Sequence, residues 1–215
     1  MERARSPEAK VRRREAILAA ASHLVQEGGF EQVTMLRVAR AAGIAKGTTY
    51  LYFRTKEELL LALLSDEYDS WFEVVRAGLA QLPPHSAPEV VAGTLVQGLR
   101  GRKRFLALME KLHVVFEQNV AHDAALAFKA QLRDQILQTA QTLAVAAGTS
   151  PDEAARLLLR MHALVVGLRQ MTRPSPAVLR VLERDDMAPM RLEFLSELAA
   201  VLADLIRAAH ARAAA

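Results

Sequence analysis

One residue in three is alanine or leucine: 39 Ala and 32 Leu in a chain of 215. Both are strong helix formers. Only 10 glycines and 8 prolines interrupt them, and alternating β-branched runs are almost absent. The chain is therefore expected to be all-α. Hydrophobic residues make up 52% and charged residues 24%, the range of a packed soluble protein. The length suits one domain of moderate size or a small module joined to a larger one. It suffices to bury a core without covalent staples. With no cysteine, disulfides, thiolate zinc sites, iron–sulfur clusters and a cysteine nucleophile are excluded. Met1–Pro7 is followed by no apolar stretch of the kind a signal peptide carries. No run reaches the roughly 18 apolar residues of a membrane span. A cytoplasmic protein is expected, with no membrane partner.

The charge is uneven. Residues 1–56 hold eleven basic residues and five acidic ones, whereas the remainder holds 17 basic and 19 acidic. A basic amino-terminal quarter on a near-neutral body fits an anionic partner for that quarter. A solvated face with a basic tail is the plainer alternative. Arg3 and Arg5 in that tail are within reach of a minor groove, although an idle tail is the simpler expectation.

Apolar periodicity and caps divide the chain into about nine helices. Ser6-Pro7 reads as an N-cap followed by proline at the first helical position. The helix it opens runs to about Glu27, with Ile17, Ala20, Ala21 and Leu24 as its apolar stripe. A short helix starts behind Thr34, burying Leu36 or Met35 with Val38 and Ala39, and ends at Gly43. Another begins near Ala45. Thr55-Lys56-Glu57-Glu58 is a capping box that opens a long helix to about Leu79. Further helices are expected over 88–99, 102–117, 121–147, 151–172 and 190–211, with a proline-rich connector over 173–189 that has room for one more short helix.

The chemistry concentrates in Thr34–Lys56. Two short helices meet around Gly43, and small residues there allow the close, steep packing by which a helix-turn-helix projects its second helix. Such a ridge fits a major groove. The second helix is expected to expose Lys46, Thr48, Thr49, Tyr50 and Tyr52. Lysine donates to a guanine edge or a phosphate, threonine hydroxyls and tyrosine phenols donate to phosphates, and Gly47 lets the backbone approach closely. Thr34 and Lys56 sit at helix N-termini, where free N–H groups and the positive dipole end favour phosphate. Phe53 is read as a packing residue.

The string Ala-Gly-Ile-Ala-Lys-Gly-Thr-Thr-Tyr-Leu-Tyr-Phe followed by Lys-Glu-Glu-Leu resembles the DNA-binding signature of the TetR/AcrR family of bacterial transcriptional regulators. The motif similarity covers about residues 10–62. It implies an all-helical homodimer with a three-helix DNA-binding domain (residues 1–55) and a larger effector-binding and dimerisation domain (residues 56–215). By position, Thr34 would meet a phosphate. Lys46, Gly47 and Thr48 would face base edges or backbone in the major groove. Tyr50, Tyr52 and Lys56 would hold phosphates. Leu36 and Arg37 depart from the family's usual polar-then-acidic pair, and Arg37 joins the DNA-binding set. Ala45 and Thr49 are milder departures, and Thr49 is kept in that set.

The resemblance also implies dimerisation through the last two long helices. Leu157, Leu158, Met161, Leu164, Val165 and Leu168 on one, and Leu195, Leu198, Leu202, Leu205 and Ile206 on the other, are the candidates. For an apolar effector, Trp71, Phe105, Met109, His113, Phe116, Phe128, Met161 and Met171 are candidate lining, since aromatic and methionine side chains suit an adaptable pocket. Ordinary core packing is the competing reading for each. His113, Glu117, His122 and Asp123 have spacing that a metal could use, but such spacing arises often by chance, so no metal and no cofactor is expected. No catalytic motif is present, and no enzymatic activity is expected. The expected function is a repressor released from a palindromic operator by a small apolar effector. One alternative gives the carboxy-terminal body a protein partner or architectural role. Another makes it a lipid carrier or enzyme with a vestigial helix-turn-helix.

Overall fold

The computed structural model describes residues 7–213. Ser6, the expected first cap, and Arg3 and Arg5 of the basic tail lie outside them. The described residues form ten α-helices and no strand: α1 (Pro7–Gly28), α2 (Met35–Ala41), α3 (Lys46–Thr49), α4 (Lys56–Leu79), α5 (Pro88–Gln97), α6 (Lys103–Lys111), α7 (His122–Ala147), α8 (Pro151–Met171), α9 (Pro176–Leu182) and α10 (Phe194–Ala213). The tenth is α9, in the proline-rich connector. None is long and apolar enough to cross a membrane.

The chain is organised as two compact units. The first takes in residues up to Tyr68 together with Ala107–Gln131, and the second takes in Asp69–Leu106 with Leu132 onward. In the first, α1 packs on α2, and α2 on α3. The stripe expected on α1 is buried in full: Ile17, Ala20, Ala21 and Leu24. Met35, not Leu36, is the buried residue at the start of α2. The helix expected over 102–117 is not uniform. It ends as α-helix at Lys111 and continues through Leu112–Phe116 in π geometry, where Glu117 N donates to Leu112 O at 2.9 Å. That register buries Leu112 and Phe116 and leaves Val114 65% exposed.

In the second unit α10 packs on α5 and α8. α10 starts at Phe194, later than the expected residue 190. Asp185–Met190, which contains Pro189, forms a separate 3-10 segment, and Glu193 accepts from Ser196 N at 2.7 Å and from Leu195 N at 3.3 Å to begin the helix. Most of the candidate dimer residues belong to the unit's own core. Leu157, Leu158, Met161, Val165, Leu198, Leu202 and Ile206 are buried, which corrects that part of the expectation. The outward strip of α8 is instead Leu159, Ala163 and Gly167, and a Cβ at Gly167 would meet nothing within 4 Å.

A charged cluster ties α8 to α10. Glu153, whose Nα–H donates to the Ser150 hydroxyl at the N-cap (3.2 Å), receives Arg160 at 2.8 Å and Arg212 at 2.6 Å. The Arg160 hydrogen bond, with Arg212 adding to it against the effect of burial, holds the Glu153 carboxyl below its ordinary value of 4.5. A carboxyl lowered on folding stabilises the fold above its unfolded pKa and ceases to do so as pH falls through the folded one. Glu153→Gln is therefore expected to lower stability by about 1 kcal/mol at neutral pH. The gap to the parent protein should close below pH 4.5. Urea melts of both proteins at several pH values measure this, and a pH-independent gap would refute the assignment.

Candidate nucleic-acid interface

The local rules that shape Thr34–Lys56 act in sequence. Thr34 is extended (φ −129°, ψ 149°), and its hydroxyl accepts from Arg37 N at 3.2 Å, the N-cap of α2. Gly43 ends the turn after α2 at φ +65°, a conformation that suits glycine. Ile44 N then donates to Ala39 O at 2.9 Å. α3 is a single turn, prolonged by Tyr52 N and Phe53 N donating to Thr49 O at 3.1 and 3.0 Å. Phe53 is buried, as expected, with the Arg14 guanidinium 5.5 Å from its ring centroid. The first half of the capping box of α4 is present: Glu58 N donates to the Thr55 hydroxyl at 3.1 Å. The Glu58 carboxylate reaches one residue beyond the cap and accepts from Arg54 N at 2.8 Å.

This framework decides which candidates reach solvent. Lys46 and Gly47 are exposed, Tyr50 is exposed, and Thr48 and Tyr52 are half-buried. Lys46 Nζ lies 5.9 Å from the Tyr50 ring centroid, so cation and phenol are presented together. Thr49 is corrected: it is fully buried, and its hydroxyl donates to Lys46 O at 2.6 Å. It holds the single turn of α3 closed and is not available to DNA. Arg37 is folded back on the segment before α2, donating to Gln32 O at 3.1 Å and to the Gln32 side-chain oxygen. Leu51, not singled out from the sequence, is 82% exposed.

Thr34, Lys46, Tyr50, Arg54, Thr55 and Lys56 border a hollow of about 400 Å³, and no acidic residue lines it. Arg54 was missed by the sequence reading, although a cation inside the motif was a usable signal. Its guanidinium donates to both carboxylate oxygens of Asp123, at 2.6 and 3.3 Å. Those bonds raise Arg54 above its ordinary pKa and hold Asp123 below its own. Lys56 stands at the first position of α4, 3.9 Å from Glu57 and 5.1 Å from the Phe30 ring centroid. Lys111 approaches the same ring at 5.3 Å. A cation at a helix N-terminus opposes the helix dipole.

The eight effector candidates are divided between the two units and between buried and exposed positions. Met109, Phe116 and Phe128 are buried in the first unit, and Trp71, Phe105 and Met161 in the second. Two are corrected as surface residues. His113 is exposed on the π segment, its Nδ1 3.0 Å from Glu117, which also pairs with Lys129. Met171, at the last turn of α8, is 63% exposed and borders a shallow hollow with Leu179 and Met190. Among the described residues no three metal-ligating side chains gather.

Residues 17–63 match the family described as bacterial regulatory proteins, tetR family. Residues 65–213 match the tetracyclin repressor-like C-terminal domain. The fatty acid metabolism regulator protein of Bacillus subtilis is 37% identical over 57 residues, 26% of this chain and 29% of its own length. The HTH-type transcriptional repressor KstR of Mycolicibacterium smegmatis is 31% identical over 115 residues, 53% of this chain and 56% of its own. The chain therefore spans from under a third to just over half the length of these relatives. Among solved structures, the multidrug binding protein EbrR, complexed with imidazole, has a TM-score of 0.59 at 20% identity, over 90% of this chain and 94% of that one. FadR from Bacillus subtilis, in complex with stearoyl-CoA, has a TM-score of 0.54 at 18% identity, over 89% and 96%. At such identities the two structures share the fold.

Proposed function

Since the chain belongs to the tetR family of bacterial regulatory proteins, we propose that it is a DNA-binding repressor that leaves a palindromic operator when a small apolar effector binds. The observation that carries this reading is the acid-free hollow where Lys46, Tyr50, Arg54 and Lys56 converge. Lys46, Gly47 and Thr48 face base edges or backbone, and Thr34, Tyr50, Tyr52 and Lys56 hold phosphates. Residues 1–55 read DNA. Residues 56–215 bind the effector and dimerise, a division supported by the two family matches meeting near residue 64. In a homodimer joined through α8 and α10 the two reading helices sit about one helical turn apart, roughly 34–36 Å. An effector that favours a different spacing by several kcal/mol releases the operator. Operator DNA then weakens effector binding by the same factor. FadR holding stearoyl-CoA supports an effector with an apolar chain, although the coenzyme A part of that ligand is charged.

Genomic-fragment selection by the purified protein, with and without candidate apolar ligands, tests the reading. A recovered palindrome whose affinity falls steeply with salt is expected; salt-insensitive retention of unrelated fragments would refute it. A second measurement concerns Asp123. Asp123→Asn releases the Arg54 guanidinium for a phosphate and removes a negative charge beside the DNA-binding face. The mutant is expected to bind the recovered operator more tightly, with a log–log salt slope steeper by about 0.9 for each reading head. An unchanged slope in fluorescence anisotropy titrations would mean that Arg54 does not reach DNA.

A further inference from the structure

The first turn of α2 carries an apolar side chain that its packing does not use. Met35, Val38 and Ala39 are the residues that α2 buries, whereas Leu36 is 42% exposed. A single exposed leucine calls for no explanation by itself. Leu36, however, borders the acid-free hollow of about 400 Å³ together with Lys46, Tyr50, Arg54 and Lys56. Arg37, the polar neighbour that α2 could have offered there, is bound instead to Gln32 O and to the Gln32 side chain. Met35 borders the same hollow but is buried. Leu36 is thus the side chain of α2 that opens on the cationic face.

The charge of that face selects a polyanion, and what a leucine adds within it follows from the surface of duplex DNA. Phosphates offer it nothing apolar. Sugars offer the same C–H groups at every nucleotide, so contact with them carries no sequence information. The major-groove edges of the bases carry hydrogen-bond donors and acceptors and one projecting apolar group, the C5 methyl of thymine. Lys46, proposed above to face base edges, shares the hollow with Leu36. We propose that Leu36 is a specificity-determining residue that reads thymine, packing its side chain on the C5 methyl of one thymine in each half-site of the operator. This rests on the DNA-binding reading above and deepens it. Lys46 discriminates by a hydrogen bond, Leu36 by taking a methyl out of water. In a homodimer on a palindrome the two leucines meet a symmetric pair of thymines.

Deoxyuridine differs from thymidine by that methyl alone, so it removes the contact and keeps every hydrogen bond of the base pair. In the operator recovered by genomic-fragment selection, each symmetric pair of thymines is replaced in turn by deoxyuridine. Anisotropy titrations then measure the affinity of the full-length protein, of Leu36→Ala and of Leu36→Met. For the parent protein one pair is expected to stand out, at about fourfold for each methyl and about fifteenfold for the pair, the return for burying one methyl. Leu36→Ala is expected to bind thymine and deoxyuridine equally well at that pair, and Leu36→Met to keep the discrimination. The log–log salt slope of Leu36→Ala should equal that of the parent, because an apolar contact releases no counterion. The inference is overturned if no pair of thymines is sensitive to loss of its methyls, a result the parent protein gives without any variant. It is overturned equally if Leu36→Ala keeps the discrimination, since another side chain then reads the methyl. In both cases salt-dependent binding of the recovered operator still upholds the DNA-binding reading. A protein that retains no duplex defeats that reading and the role of Leu36 together.

Discussion

Replacing Lys56 with alanine is expected to weaken operator binding by about 1.5–3 kcal/mol per reading head, roughly ten- to a hundredfold, the scale of a charge-assisted hydrogen bond. Stability should hardly change. Three small terms meet at that position. Removing a cation from the positive end of α4 relieves about 0.3–1 kcal/mol of unfavourable dipole interaction. Losing the contact with the Phe30 ring, 5.1 Å away, gives back about 0.5–1 kcal/mol. The Glu57 contact, at 3.9 Å with Lys56 35% exposed, contributes little. Function and stability therefore separate at this residue, as expected of a group placed for a ligand. The salt dependence gives the sharper measure: the log–log slope should fall by about 0.9 per head, hence about twice that for a dimer on a palindrome. The loss should be similar across operator variants, because a phosphate carries no sequence information. Anisotropy titrations at four salt concentrations, with a urea melt of the same preparation, check both halves. A loss confined to one operator variant would show a base contact instead, and a large stability loss would make Lys56 a structural residue.

The second large effect concerns the fold. Gly148→Ala is expected to destabilise the protein by about 2–5 kcal/mol. Gly148 ends α7 at φ +62°, and a side chain in the left-handed region costs about 1–2 kcal/mol. Its Cβ would also run into the His85 ring, and overpacking of that kind costs about 1–3 kcal/mol. The exposed ring can give way only by turning about its own side-chain bonds. His85 N and Ser86 N donate to Val145 O and Ala146 O, at 3.1 and 2.8 Å, so the loop is fastened over the end of α7. His85 is itself at φ +57°. In a His85→Gly background the overlap disappears and the backbone strain at residue 148 remains. The cost of Gly148→Ala should then shrink to about 1–2 kcal/mol. An equal cost in both backgrounds, by chemical denaturation, would show that the ring is not the obstacle.

How far the chain could be read in advance differed from one element to the next. The helices were legible wherever a local signal acted within three or four residues. Thr34, Thr55 and Ser150 each accept the backbone N–H that their N-cap role requires, and the stripe on α1 is buried position by position. Thr49 was misread for a physical reason. α3 is a single four-residue turn, so each face is sampled by only one or two residues, and periodicity cannot resolve so short a segment. The hydroxyl bond to Lys46 O decides it. Arg54 was missed because its neighbour Asp123 lies 69 residues away. The π register at Leu112–Phe116 was invisible because its apolar residues satisfy a 3.6-residue period almost as well.

The all-helical class, the caps, the turn at Gly43 and the crowding of cations into Thr34–Lys56 were legible in the residues alone. Each of these follows from backbone preferences and hydrogen bonds that close within a few residues, so nothing distant is needed to read them. Tertiary structure alone decided which side of a helix meets another helix. Leu157 and Leu198 went to the chain's own core, and His113 and Met171 to the surface. Apolar side chains are interchangeable to the hydrophobic effect, which rewards area removed from water and is indifferent to the partner. Only the three-dimensional arrangement of close-packed neighbours assigns each one its place.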